Sequence, residues 1–148
     1  MALTMSQQER EAFLGGLHVG VISIEDPGAP PISVPIWYDY SADIGVWILT
    51  EEYSLKGRAL AAAGRFALCA QTEEPPNYRY VSVSGPIVSV RDADKEADSR
   101  PMAHRYFGAE LGDLYTDSGE SGSVKIFTMR PERWRTVDYG KLSESSEA

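Results

Sequence analysis

The chain has 148 residues, 43% of them hydrophobic and 24% charged, with a formal net charge of -8 and a pI near 4.7. This predicts one domain with a proper core, read as residues 1–142 ahead of a disordered polar tail over 143–148, and it argues against nucleic acid, which needs a basic face. No apolar run approaches the ~20 residues of a membrane span, the lone Cys69 cannot close an internal disulfide, His18 and His104 lack metal-ligand spacing, and no signal peptide is legible, so the expected compartment is the cytoplasm.

Ser6-Gln-Gln-Glu9 has the form of a capping box, followed by Phe13, Leu14 and Leu17 on one helical stripe that Gly15-Gly16 ends. His18 to Ile24 is apolar and β-branched and reads as a strand. After the breakers of Glu25-Asp-Pro-Gly-Ala-Pro-Pro31, a second strand is predicted over Ile32 to Tyr40. Pro35 inside it marks an edge, a bulge, or a place where a ligand replaces the ladder. A turn leads to a third strand, Val46 to Thr50, which would form a hairpin with the second.

Next comes Thr50-Glu-Glu-Tyr-Ser-Leu-Lys-Gly-Arg58, opening an alanine-rich helix over Ser54 to Ala63 with Gly64 as its C-cap. Ser54 reads as the N-cap, so Lys56 and Arg58 fall in or beside the first turn. There the helix dipole disfavours cations by roughly 0.3–1 kcal/mol each. In an acidic chain this is odd unless an anion binds, and free N–H groups at a helix start favour a phosphate. The bland alternative is a solvated helix face, with Arg58 turned toward Glu51 or Glu52.

Phe66 to Thr72 is a fourth strand, in whose apolar alternation Cys69 reads as core packing. Tyr78 to Val90 is a long fifth strand, bent at Gly85-Pro86. Asp92 to Tyr106 is a charged helix, Ala109 to Tyr115 a further helical turn, and Asp117 to Gly122 a loop expected to be mobile. Val124 to Arg130 and Trp134 to Tyr139 are the last strands. Six or seven strands with three short helices predict a mainly β (α+β) domain, a closed or nearly closed antiparallel barrel with helices at its openings. His18 reads as a satisfied structural histidine, and His104-Arg105-Tyr106 as a helix end where cations suit the dipole. No nucleophile–base–orienter set and no Gly-rich dinucleotide fingerprint is present, which leaves catalytic residues unassigned and fits chemistry carried by a cofactor.

This element order resembles the split β-barrel of the pyridoxamine 5'-phosphate oxidase-like superfamily. The matching pieces are His18 to Ser23, Val34-Pro-Ile-Trp-Tyr38, Leu49-Thr50 with Ser54-Leu-Lys56, Tyr78 to Gly85, His104-Arg-Tyr-Phe-Gly108 and Pro131-Glu-Arg-Trp134. Within the superfamily it is similar to the flavin/deazaflavin oxidoreductases, particularly the branch that uses coenzyme F420. The resemblance implies an FMN-binding split-barrel fold of six to seven strands, with the cofactor phosphate at Ser54, Leu55, Lys56 and Arg58. It implies the ring against Pro35, Ile36 and Trp37, and backbone contacts near Thr50. It also implies a homodimer, in which Gln71, Tyr78, Arg79 and Tyr80 serve the other subunit's site. The implied activity is hydride transfer between F420 and a small organic substrate. The alternatives are an FMN-dependent oxidoreductase and a non-catalytic cofactor- or tetrapyrrole-binding protein.

Overall fold

The alternating apolar pattern resolves into eight strands in a computed structural model that describes residues 2–119 and 122–146. In chain order they are β1 (Gly20–Ile24), β2 (Ile32–Ile36), β3 (Asp39–Ser41), β4 (Gly45–Glu51), β5 (Arg65–Gln71), β6 (Arg79–Asp92), β7 (Val124–Met129) and β8 (Arg133–Asp138). The helices are α1 (Gln7–Leu14), α2 (Leu55–Ala63), α3 (Arg100–Ser118) and α4 (Lys141–Ser146). All pairings are antiparallel, in the order β2-β1-β5-β6-β7-β4-β3, with β8 on the free side of β6. This is the split-barrel fold, with eight strands rather than six or seven.

The additional strand arises because the expected strand over residues 32–40 is two. Its first half, β2, pairs with β1, with Ile36 opposite Gly20. Its second half, β3, pairs with β4, with Asp39 opposite Trp47. The expected hairpin therefore exists only as β3–β4. Since β2 and β3 are the two ends of the strand order, the sheet curls onto itself through the splice Trp37–Tyr38. Beyond the splice it stays open. Among the described residues β2 has only β1 as a neighbour, and Ile48 to Glu51 of β4 pair only with β7. Pro35 sits on that open edge strand, where a residue without an N–H is tolerated.

Inward-facing Ile22, Ile24, Val46, Ile48, Leu68, Val81, Val83 and Met129 are fully buried, and Leu60 of α2 joins them. Each such side chain contributes ~1.5–3 kcal/mol over an exposed one. Tyr38 is also fully buried, and its hydroxyl donates to the Leu14 carbonyl at 2.7 Å. The first half of β6 pairs with β5 and β8, and the second half with β7. Its register shift falls between Ile87 and Ser89, just past the expected bend at Gly85-Pro86.

The capping box holds as expected: Ser6 Oγ accepts from the Glu9 N–H, and Glu9 accepts from the Ser6 N–H. The charged helix begins later than the sequence suggests, because Asp92 still belongs to β6. Asp94 caps a turn of π-helix, Lys95–Ser99, which leads into α3. At Gly108, φ is +80°, a value side chains avoid, and α3 folds back there. Its two arms close up at Gly112, where an added Cβ would lie 2.6 Å from His104 Cδ2. The loop expected over Asp117 to Gly122 begins later, since Asp117 and Ser118 complete α3, and residues 120–121 lie outside the described residues. The tail expected to be disordered from Ser143 instead carries α4, and residues 147–148 lie outside the described residues.

Candidate functional site at the open seam

The open seam of the barrel has two lips, β2 and the end of β4. Continuing the β3–β4 register past the splice would set Ile36 across from Thr50. Immediately after β4 the chain turns into α2, which packs against β1, β4 and β5. The start of α2 thus stands at the end of one lip.

Ser54 caps α2 as expected. Its hydroxyl accepts from the Gly57 N–H at 3.1 Å and donates to the Glu51 carbonyl at 2.7 Å, with Thr50 Oγ1 3.4 Å away. The cap therefore occupies Ser54 fully. The turn is tight because residue 57 is glycine: an added Cβ would run into the Glu51 and Glu52 carbonyl oxygens. Among the described residues, the N–H groups of Leu55 and Lys56 have no hydrogen-bond partner. Lys56 is half-buried and Arg58 exposed, and neither forms an ion pair among the described residues. Two peptide donors and the Lys56 ammonium at the positive end of a helix, with the Arg58 guanidinium two residues on, offer donors to a phosphate-sized anion. Thr50 is buried, whereas Tyr53 and Leu55 are 76% and 59% exposed.

On the facing lip, Pro35 is exposed and Ile36 buried. Trp37 is held by α3. Its indole stacks on Tyr106 at 5.0 Å and 5°, meets Phe107 edge-on at 4.9 Å and touches Tyr115 at 5.3 Å. Nothing local in the sequence connects Trp37 with α3. The one local signal is the aromatic pair Tyr106-Phe107 beside Gly108, inside the segment His104 to Gly108 that carries part of the resemblance.

Gln71, Tyr78, Arg79 and Tyr80 form a separate group. Gln71 pairs with Tyr80 at the start of β6, while Thr50 connects through Lys125 to Asp92 at the other end of that strand. Gln71 Nε2 donates to Glu73, Tyr78 is 44% exposed, and Arg79 lies over the Phe13 ring at 5.0 Å. A single chain does not bring this group to the start of α2.

The remaining candidates make local contacts. The His18 ring stacks on Phe13 at 4.3 Å and its Nε2 lies 3.0 Å from the Phe13 carbonyl; burial lowers its pKa. Cys69, expected to be core, is half-buried on the opposite face of β5 from the buried Phe66, Leu68 and Ala70, opposite the exposed Val21, and burial raises its thiol pKa. Trp134 carries Arg10 over its ring at 4.4 Å. A cavity of about 650 Å³ lies away from the start of α2: it is a groove between the outer face of β4 and β7 and the start of α3, lined by Trp47, Met102 and Arg105. No helix among the described residues is long and apolar enough to cross a membrane.

Solved structures share this architecture. A conserved hypothetical protein from Mycobacterium tuberculosis aligns at TM-score 0.77 and 19% identity, covering 97% of this chain and 91% of its own. A protein described as an F420 reductase aligns at TM-score 0.65 and 17% identity, covering 84% and 94%. A FAD-binding protein from Mesorhizobium loti aligns at TM-score 0.63 and 19% identity, covering 91% and 96%. At these identities the likeness is one of fold. No curated protein matches the chain in sequence. The sequence pattern of the family described as pyridoxamine 5'-phosphate oxidase matches residues 6–138, nearly the whole of the seam-bearing barrel, and the chain belongs to that family.

Proposed function

We propose that the chain is an F420-dependent oxidoreductase, working as a homodimer on a small organic substrate. The observation that supports this is the pair of cations, Lys56 and Arg58, without an acidic partner among the described residues at the start of α2, beside an open seam. When bound, the deazaflavin supplies a hydride from its C5. The protein's own task is to bind, orient and exclude water. In this reading Lys56 neutralises the phosphate, assisted by Arg58 and by the peptide N–H groups of Leu55 and Lys56. Ser54 acts through the cap, holding those N–H groups in place. Pro35, Ile36 and Trp37 border the ring, and backbone groups near Thr50 contact the ring or the ribityl chain. Gln71, Tyr78, Arg79 and Tyr80, remote from α2 in their own chain, serve the site of the second copy. The exposed Val19, Val21, Tyr53 and Leu55 give such a dimer apolar surface to bury.

FMN is the second reading, because the donor set answers to a phosphate and both cofactors carry one. Titration of the cofactor-free protein with F420 and with FMN, read by tryptophan fluorescence, separates the two. Selective F420 binding supports the proposal, selective FMN binding moves the chain to the flavin reading, and binding of neither overturns both.

A further inference from the structure

At the splice between β2 and β3 the chain passes from one ladder to another, and neither neighbouring ladder reaches Trp37 or Tyr38. Their backbone groups need other partners, because unpaired peptide groups away from water are costly. For Tyr38, Tyr106 of α3 supplies them. Its hydroxyl accepts from the Tyr38 N–H at 3.1 Å and lies 2.6 Å from the His18 carbonyl and 3.0 Å from the Tyr38 carbonyl, to either of which it donates. One phenol thus ties the run-in to β1 to the splice and replaces the missing ladder bond. The same ring lies flat against the Trp37 indole. Tyr38 points the other way, into the core, where its hydroxyl has a separate partner in Leu14. Arg105, next to Tyr106, anchors the same arm to the Gly16 carbonyl at 2.7 Å and faces Asp39 at 3.5 Å.

From this geometry we infer that Tyr106 is a positioning residue for the seam: its hydroxyl sets where β2 leaves the barrel, and its ring sets the plane of Trp37. The inference rests on the proposed function in one respect, that the cofactor ring lies against Pro35, Ile36 and Trp37. Tyr106 acts through those residues without touching the phosphate end, so its effect on binding is independent of Lys56.

The test compares three variants in the full chain. Tyr106→Phe keeps the stack and removes the hydroxyl, Tyr106→Leu removes both, and Tyr38→Phe removes one buried hydroxyl bond on the core side of the same splice. Thermal midpoints, affinities for F420 and FMN, and the Trp37 emission (wild type minus Trp37→Phe) are measured for each. The expected result is roughly tenfold weaker cofactor binding in Tyr106→Phe and a larger loss in Tyr106→Leu. Tyr38→Phe should bind as the wild type does, despite a comparable fall in midpoint. The Trp37 emission should shift to the red in Tyr106→Leu alone. Equal loss of affinity in Tyr106→Phe and Tyr38→Phe, or no loss in either, overturns the inference. If the wild type binds neither cofactor, the proposed function fails. The emission then decides the positioning role by itself, and an unshifted Tyr106→Leu spectrum overturns it.

Discussion

Cations are treated in opposite ways at α2 and α3. Around α3 they meet acids. Arg91 makes two hydrogen bonds to Asp98, Arg100 reaches Glu96, Asp113 and Asp117, and Lys125 pairs with Asp92. The carboxyl pKa values follow. The Arg100 guanidinium holds Glu96 and Asp117 below the usual range, and His104, then Arg100, do the same for Asp113. At α2, Lys56 and Arg58 have no such partner among the described residues, although Glu51 and Glu52 are close in sequence. The turn directs those acids elsewhere. Glu52 accepts from Ser123 Oγ at 2.9 Å and faces Lys125, and the Glu51 carboxyl group lies beside Gly122. An exposed ion pair contributes only ~0–1 kcal/mol. The contrast therefore matters less for stability than for what each region leaves open, and α2 leaves open a site for an anion from outside the chain.

The largest effect should come from breaking the turn that creates this contrast. Gly57→Val would drive a side chain into the Glu51 and Glu52 carbonyls and should destabilise the fold by about 3 kcal/mol, read as a lower denaturation midpoint, with cofactor binding lost alongside it. Lys56→Ala should separate binding from stability. Affinity for the phosphate-bearing cofactor should fall by roughly 1–3 kcal/mol, about 5- to 150-fold, while the midpoint moves by no more than about 0.5 kcal/mol. Unchanged affinity would mean that the α2 cations are no more than a solvated face. Arg100→Ala should give the reverse pattern: a lower thermal midpoint as three acids lose their shared partner, with cofactor affinity as in wild type. Should that variant also lose affinity, the division between a structural α3 network and a binding α2 terminus would not stand.

The features of this comparison that were legible in the sequence were the local ones. Ser54 as a cap, Gly64 as a C-cap at φ +68°, and the capping box of Ser6 and Glu9 each depend on a few neighbouring residues. The strand pattern was legible for the same reason, since alternation reports burial directly. The splice was not. Residues 32–40 alternate without interruption, and nothing local records that the ladder partner changes from β1 to β4 at Trp37. The pairing of Trp37 with Tyr106 joins residues far apart in sequence and follows from topology alone. Gly108 was visible as a glycine, but the fold-back of α3 depends on His104 and Arg100 meeting Asp113 across the hairpin. At the candidate site, the cations could be picked out because they contradict the dipole of their own helix. The separation of Gln71 and Tyr80 from them could not, since it depends on how β6 is shared between two parts of the sheet.

The smallest effect concerns the third basic contact, which joins the two ends of the chain. Lys141 Nζ lies 2.9 Å from Glu9 Oε1 and donates to the Thr4 carbonyl at 3.0 Å, tying α4 to the capping box of α1. The hydrogen bond from Lys141, followed by that from the Ser6 backbone N–H, lowers the Glu9 pKa to about 2 from an unfolded value near 4.5. A carboxyl group depressed in the folded state stabilises it fully above the unfolded pKa, and that contribution is lost as pH falls through the folded one. The wild type should therefore lose stability between pH 4.5 and about 2 in part through this group, and Glu9→Gln should be less stable at neutral pH with a flatter acid limb. Because Glu9 is solvent-exposed, the difference should be small and should shrink further in high salt, unlike the loss from Gly57→Val, which is steric. Denaturation midpoints across that pH range at low and high salt would decide it. A wild type and Glu9→Gln with parallel acid limbs would show that the tie contributes nothing, and that the unpaired cations of α2 are distinguished from paired ones by binding alone.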